Sequence, residues 1–278
     1  MKDFKSAMSP SNINKYEFLE IESTSVNNGE IVSIFLNNPE SRNSMTWKMG
    51  EEFQAEINRI SKQKILPRAV IISGKNDVFC AGGDLNLLRS FSEKTYSQNK
   101  RDMRKFYSFF LSIRNLQSPV IGALNGHAIG AGLSLGFACD LRFFALEGKY
   151  SFNFVRLGIH PGMGSSFLAP ELLGKSLGSR LLFTGETFNG EDAKNWGLAV
   201  QSVPKSEVYA KAFEFAKYMA DGAPLALQEL KKNLYHWKSL DKALKKEAAS
   251  QARNFISEDF RETLNSVVEK RSPIFLGK

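Results

Sequence analysis

Apolar residues fall in short runs through the first half of the chain. Ile31-Val32-Ser33-Ile34-Phe35-Leu36 and Asp140-Leu141-Arg142-Phe143-Phe144-Ala145 read as strands. Arg68-Ala69-Val70-Ile71-Ile72-Ser73-Gly74 and Pro119-Val120-Ile121-Gly122-Ala123-Leu124 read as buried strands. An earlier strand is predicted at Tyr16–Ile21, largely apolar with interleaved acids, and Asn27-Asn28-Gly29 supplies a turn signal before Ile31. Between the strands the period changes. Met49, Phe53, Ile57 and Ile60 recur at helical spacing. Phe106, Phe109, Phe110 and Ile113 give an apolar side to a polar helical stretch from about Ser92 to Asn115, and helical pattern returns from Gly130 to Phe137. Strands alternating with helices predict an α/β core.

Beyond Ser206 the pattern is helical only: Val208–Met219, Pro224–Trp237, Leu240–Ile256 and Phe260–Glu269. Pro224 suits a first helical turn. This predicts three parts: a flexible N-terminal tail over 1–15, an α/β body over 16–205, and a helical subdomain over 206–278 that offers an oligomer contact.

Composition narrows the function. The chain has 278 residues, 42% hydrophobic and 24% charged, enough for one large domain or a core plus a smaller appendage. No apolar run approaches the ~20 residues of a membrane helix, and the polar segment Met1–Tyr16 lacks the apolar stretch of a secretory signal. Cys80 and Cys139 share no CxxC spacing, so a reducing cytoplasm is the expected compartment. The three histidines (His127, His160, His236) are scattered, and no HExxH or Cys/His cluster suggests a metal. A net charge of +8 favours phosphate-bearing partners. With no basic arm or aromatic-interleaved stripe for nucleic acid, the partner expected is a small polyanionic ligand.

Two glycine-rich segments follow predicted strands: Phe79-Cys80-Ala81-Gly82-Gly83-Asp84-Leu85, and Asn125-Gly126-His127-Ala128-Ile129-Gly130-Ala131-Gly132-Leu133-Ser134. Glycine lets backbone N–H groups approach a ligand closely, and a strand-to-helix turn aims free N–H groups at whatever sits above it. Two such turns facing each other would make a two-donor oxyanion hole. Gly130, Gly132 and Gly136 also suggest a dinucleotide fingerprint, but their spacing is one residue too long and no ribose-binding acid follows at the required distance.

Taken in order, these segments resemble the crotonase (enoyl-CoA hydratase/isomerase) superfamily. Asn38-Pro39-Glu40-Ser41-Arg42-Asn43-Ser44-Met45 is similar to its N-terminal motif, Phe79–Leu85 to its first oxyanion loop, and Pro119–Gly126 with Gly130-Ala131-Gly132 to its second. Gly158-Ile159-His160-Pro161-Gly162-Met163-Gly164, Thr184-Gly185-Glu186 with Ala193, Trp196-Gly197-Leu198 and Lys270-Arg271-Ser272-Pro273 match later landmarks. The resemblance runs from about Phe18 to the C-terminus. It implies a crotonase-like spiral of ββα repeats with a C-terminal helical trimerisation region, assembled as trimers or hexamers. It implies coenzyme A thioester substrates, no cofactor beyond that coenzyme A, and no metal. The backbone amides of Gly83 and Ala131 would hold the thioester oxygen. Ser41, Arg42, Ala81, Asp84 and Leu85 would flank the coenzyme A, and Lys270, Arg271 and Phe275 would reach its adenine or phosphates, from a neighbouring subunit if need be.

The resemblance breaks at the acids. The two glutamates typical of hydratases fall at Ser134 and Phe154, and neighbouring Asn153 and Val155 are not acids either. Candidate substitutes are Ser134, to orient a water or bind a substrate hydroxyl, and His160, whose intrinsic pKa suits base work. His127 reads as a buried, hydrogen-bonded imidazole. Asp84 and Asp140 read as caps, and Glu186 and Glu191 as helix N-terminal residues. Tyr150 and Arg156 flank the lost second acid and are expected at the pocket wall. The 22 phenylalanines suit a large apolar acyl pocket or ordinary core packing. Three activities remain open: a lyase or isomerase acting on acyl-CoA, a hydrolase or decarboxylase on the same fold, and a non-catalytic acyl-CoA binder.

Overall fold

The computed structural model describes residues 11–12, 16–235 and 237–278. The strands are β1 (Ser11–Asn12), β2 (Leu19–Val26), β3 (Gly29–Leu36), β4 (Ala69–Gly74), β5 (Val78–Cys80), β6 (Val120–Leu124), β7 (His127–Ile129), β8 (Leu141–Ala145), β9 (Tyr150–Ser151), β10 (Thr187–Phe188) and β11 (Gln201–Val203). The helices are α1 (Trp47–Ser61), α2 (Leu85–Ser92), α3 (Tyr96–Phe110), α4 (Ala131–Phe137), α5 (Ser165–Thr184), α6 (Gly190–Asn195), α7 (Val208–Ala220), α8 (Pro224–Leu234), α9 (Trp237–Asn254) and α10 (Glu258–Glu269). Apart from β1, the expected tail lies outside the described residues.

The larger sheet has the order β1-β2-β3-β4-β6-β8-β11, and the smaller one β10-β9-β7-β5. From β3 to β11 the larger sheet is parallel. Each of β4, β6 and β8 leads into a strand of the smaller sheet (β5, β7, β9) and then toward a helix, which is the predicted ββα spiral. Except for the edge strand β11, the parallel strands of this sheet are largely buried on both faces. Ile31, Ile71, Ile121 and Phe143 pack with Val208, Ala212 and Ala216 of α7 on one side, while Val32, Val70, Ile72, Val120 and Phe144 join the main core on the other. That is why these strands are unbroken apolar runs in the sequence.

Two predicted helices divide. The stretch from Ser92 to Asn115 contains the end of α2, then α3, then a short 3-10 turn at Leu111–Asn115. A capping box starts α3: the Thr95 hydroxyl accepts from Gln98 N, and Gln98 Oε1 accepts from Thr95 N at 2.9 Å. The segment Pro224–Trp237 breaks after Leu234, where Tyr235 is extended and stacks on Trp237 at 4.5 Å. Buried Lys231 ties α8 to the body, with Nζ 2.8 Å from Asp140 Oδ2 and 2.9 Å from Ser118 O. Asp140 in turn accepts from Val120 N at 2.6 Å, the strand-end cap its position suggested.

Candidate active site

The first glycine turn follows β5. Gly82 has φ +95°, and a Cβ there would lie 2.7 Å from Ile129 O and 3.9 Å from Ala131 N. The second turn follows β7, where Gly130 has φ +52° and donates its N–H to Ser151 O at 2.8 Å. The missing side chain at Gly82 therefore lets the two turns touch. The segment Ser44-Met45 runs beside the first turn: Met45 N donates to Gly82 O at 2.7 Å, and Asp84 N to Met45 O at 3.1 Å. Ala81 N is used as well, donating to Arg42 O at 3.1 Å. Among the described residues, the amides of Gly83 and Ala131 donate to no protein acceptor. Ala131 is the first residue of α4, a position whose N–H has no partner within the helix and lies at the positive end of its dipole.

Both turns line one cavity of about 550 Å³. Ser41, Ser44, Ala81, Asp84 and Leu85 contribute to its wall, and Phe91, Met103, Phe106, Phe154, Met163 and Phe255 make it largely apolar. Arg42 supports it through its backbone, while its side chain is exposed. Asp84 caps α2, accepting from Asn86 N and Leu87 N at 3.0 Å each. Phe154 is 6% exposed and packs against Gly130.

Other expected residues lie elsewhere. Ser134 is fully buried and outside the lining; its hydroxyl donates to Gly130 O at 2.9 Å and pairs with Ser165 Oγ at 2.7 Å. His160 and Phe275 border a second cavity of about 580 Å³. His160 Nδ1 sits 2.6 Å from Pro161 O. Lys270 is exposed and ends α10 in a left-handed conformation. Tyr150 and Arg156 are not on the wall of the first cavity. The Tyr150 hydroxyl donates to Ala145 O at 2.9 Å inside the core, and exposed Arg156 donates to Thr184 O at 2.6 Å. His127 is exposed rather than buried, although its Nδ1 does accept from Lys149 N at 2.9 Å.

Sequence reasoning missed a polar network joining α3, α9 and the loop before α5. The Tyr107 hydroxyl donates to Gln251 Oε1 at 2.6 Å, and Gln251 Nε2 donates to His160 O at 2.7 Å. One turn earlier on α9, Glu247 accepts from Gly164 N at 2.7 Å, Ser166 N at 2.9 Å and Ser166 Oγ at 2.5 Å. Burial pushes the Glu247 carboxyl above its ordinary value of 4.5 despite those donors. Burial first, and the Glu247 charge second, hold the Tyr107 phenol well above 10, so it is neutral. Ser44 is 6% exposed, lines the cavity, and its Oγ has no hydrogen-bond partner in the protein.

The family description "Enoyl-CoA hydratase/isomerase" matches residues 26–278. An enoyl-CoA isomerase/hydratase of Mycosarcoma maydis is 32% identical over 94% of this chain and 97% of its own length. The 2,3-dehydroadipyl-CoA hydratase of Escherichia coli is 28% identical over 89% of this chain and 96% of its own. Among solved structures, an enoyl-CoA hydratase/isomerase from Pseudoalteromonas atlantica superposes with a TM-score of 0.81 at 24% identity, covering 94% of this chain and all of that one. At that identity the likeness concerns the fold. No helix among the described residues is long and apolar enough to cross a membrane.

Proposed function

Because the chain belongs to the enoyl-CoA hydratase/isomerase family, we propose that it is an enzyme that binds an acyl-CoA thioester in the 550 Å³ cavity and acts on it through a two-amide oxyanion hole. The observation that carries this reading is the pair of unused N–H groups, Gly83 and Ala131, on two touching turns above one cavity. Forming an enolate or tetrahedral oxyanion from a thioester places negative charge on the carbonyl oxygen. Fixed N–H donors stabilise that charge by about 3 kcal/mol each. Gly83 and Ala131 hold the oxygen, and the apolar wall takes the acyl chain. Ser41, Ala81, Asp84 and Leu85 flank the pantetheine. The reading needs no cofactor other than the coenzyme A of the substrate.

In this reading Ser134 and Phe154 stand where hydratases carry their glutamates. Among the described residues Asp84 is the only carboxylate on the cavity wall, and it is committed to capping α2. Hydration needs a base and an acid, each contributing about 10²–10⁴-fold. Decarboxylation forms the enolate by losing carbon dioxide and needs no base, so the geometry keeps it ahead of hydration, isomerisation and thioester hydrolysis, which need a proton-transfer group or an activated water. A purely binding role is the second reading, favoured by the same lack of a free acid pair.

Assembly as a trimer or a dimer of trimers through 206–278 belongs to this proposal. Exposed Val268, Ile274 and Leu276, 67%, 71% and 67% accessible, support it, and would place Lys270 and Phe275 near a neighbour's coenzyme A. A cytoplasmic location belongs to it too, supported by two buried, unpaired cysteines, although similar proteins of Arabidopsis thaliana and Mus musculus are named as mitochondrial.

The test is Ala131→Pro. Proline is welcome at the first helical position; it removes the N–H and sets its ring Cδ where the hydrogen pointed. Acyl-CoA binding is followed by calorimetry, and turnover by enoyl-CoA absorbance, free coenzyme A and carbon dioxide release. The wild type binds acyl-CoA and turns over at least one substrate, and the variant loses about 100- to 1,000-fold in rate. Binding without any turnover selects the second reading; no binding by the wild type ends both.

A further inference from the structure

Tyr107 of α3 and Gln251 of α9 are each 3% exposed, and both line the acyl cavity. Their bond to each other and the bond from Gln251 to His160 O use only part of their capacity. An amide nitrogen carries two hydrogens, and His160 takes one. A phenolic oxygen has two lone pairs, and no protein donor reaches them among the described residues. One donor and one acceptor therefore remain, side by side, on the wall of an otherwise apolar cavity. They lie against Gly162, where an added Cβ would come within 2.6 Å of Gln251 Nε2 and 2.7 Å of the Tyr107 oxygen. The space against Gly130, beside the second glycine turn, is taken instead by Asn153 and Phe154. The polar pair thus belongs to the α3 and α9 side of the cavity and not to either glycine turn.

The complement of one donor beside one acceptor is a hydroxyl group. A carboxylate does not fit: among the described residues no lysine, arginine or histidine lines the cavity, and Glu247 sits one turn from Gln251 on the same helix. We infer that the acyl group this protein takes carries a neutral hydroxyl beyond the carbons next to the thioester, accepting from Gln251 Nε2 and donating to the Tyr107 oxygen. This rests on the acyl-CoA reading above.

The experiment is calorimetric titration of the full chain with hexanoyl-CoA, 5-hydroxyhexanoyl-CoA, 6-hydroxyhexanoyl-CoA and adipoyl-CoA, repeated with Tyr107→Phe. One hydroxylated ligand binds about three- to tenfold more tightly than hexanoyl-CoA, as one satisfied buried hydrogen bond allows. Adipoyl-CoA binds more weakly than hexanoyl-CoA. In Tyr107→Phe the preference for the hydroxyl disappears, while hexanoyl-CoA affinity stays within about twofold; a merely structural role would move all four ligands together. Hexanoyl-CoA binding as well as both hydroxylated forms overturns the inference and leaves the acyl-CoA reading standing. Failure of all four to bind removes that reading and the inference with it. Should Tyr107→Phe not fold, the wild-type ratios alone decide.

Discussion

Removing the Glu247 side chain tests how the C-terminal helices hold the cavity together. Its carboxylate receives three donors at the start of α5: Gly164 N, Ser166 N and Ser166 Oγ, at 2.7, 2.9 and 2.5 Å. In Glu247→Ala all three lose their partner. A buried donor left unpaired costs about 1–3 kcal/mol. Gly164 is buried and bears the full cost, whereas Ser166 is half-buried and recovers part of it from solvent. Relief of the buried charge offsets some of the rest, so the net destabilisation is about 3 kcal/mol. The sign with pH follows from the raised carboxyl pKa. The folded state holds its proton more tightly than the unfolded chain does. The linked stability is complete below the ordinary carboxylate pKa of 4.5 and is lost as pH rises through the folded value. Urea unfolding of both proteins across pH 4 to 8 measures it: the gap between wild type and variant is widest at the acid end and narrows upward. A gap under about 1 kcal/mol throughout, or one that widens with pH, refutes the reasoning.

Two further outcomes separate packing from chemistry. Gly82→Ala places a Cβ 2.7 Å from Ile129 O at φ +95° and costs about 2 kcal/mol or more by thermal or urea unfolding, whereas Gly83→Ala meets only Leu88 side-chain atoms at 3.6 Å or beyond and stays within about 1 kcal/mol of wild type. Ser134→Ala removes bonds to Gly130 O and Ser165 Oγ outside the cavity, so it lowers stability by about 1 kcal/mol while turnover stays within about threefold; a larger fall in rate at unchanged stability would return Ser134 to the chemistry.

The spiral was legible because its long parallel strands are buried on both faces. Val70, Ile71 and Ile72 each face core, so β4 reads as an apolar run. The second sheet was not legible: β7, β9 and β10 are only two or three residues long, too short for any period to register. Nor was α5, where Gly174 at φ +75° kinks the helix, Pro170 lies inside it, and no single apolar stripe runs its length. The glycine turns were found because glycine at a strand end has a local meaning. Tyr107 and Gln251 lie 144 residues apart, and nothing local announces that they meet. One signal was present: Glu247 and Gln251 share the inward face of α9 with Leu240 and Leu244, and polar residues on a core face demand partners.

A vibrational spectrum of an isotope-labelled thioester carbonyl, free and bound, asks whether two amides grip a single oxygen. The bound carbonyl stretch moves to lower frequency in the wild type and returns most of the way to its solution position in Ala131→Pro. A stretch that stays at its solution frequency in the wild-type complex would mean that the Gly83 and Ala131 amides point at something other than the substrate carbonyl.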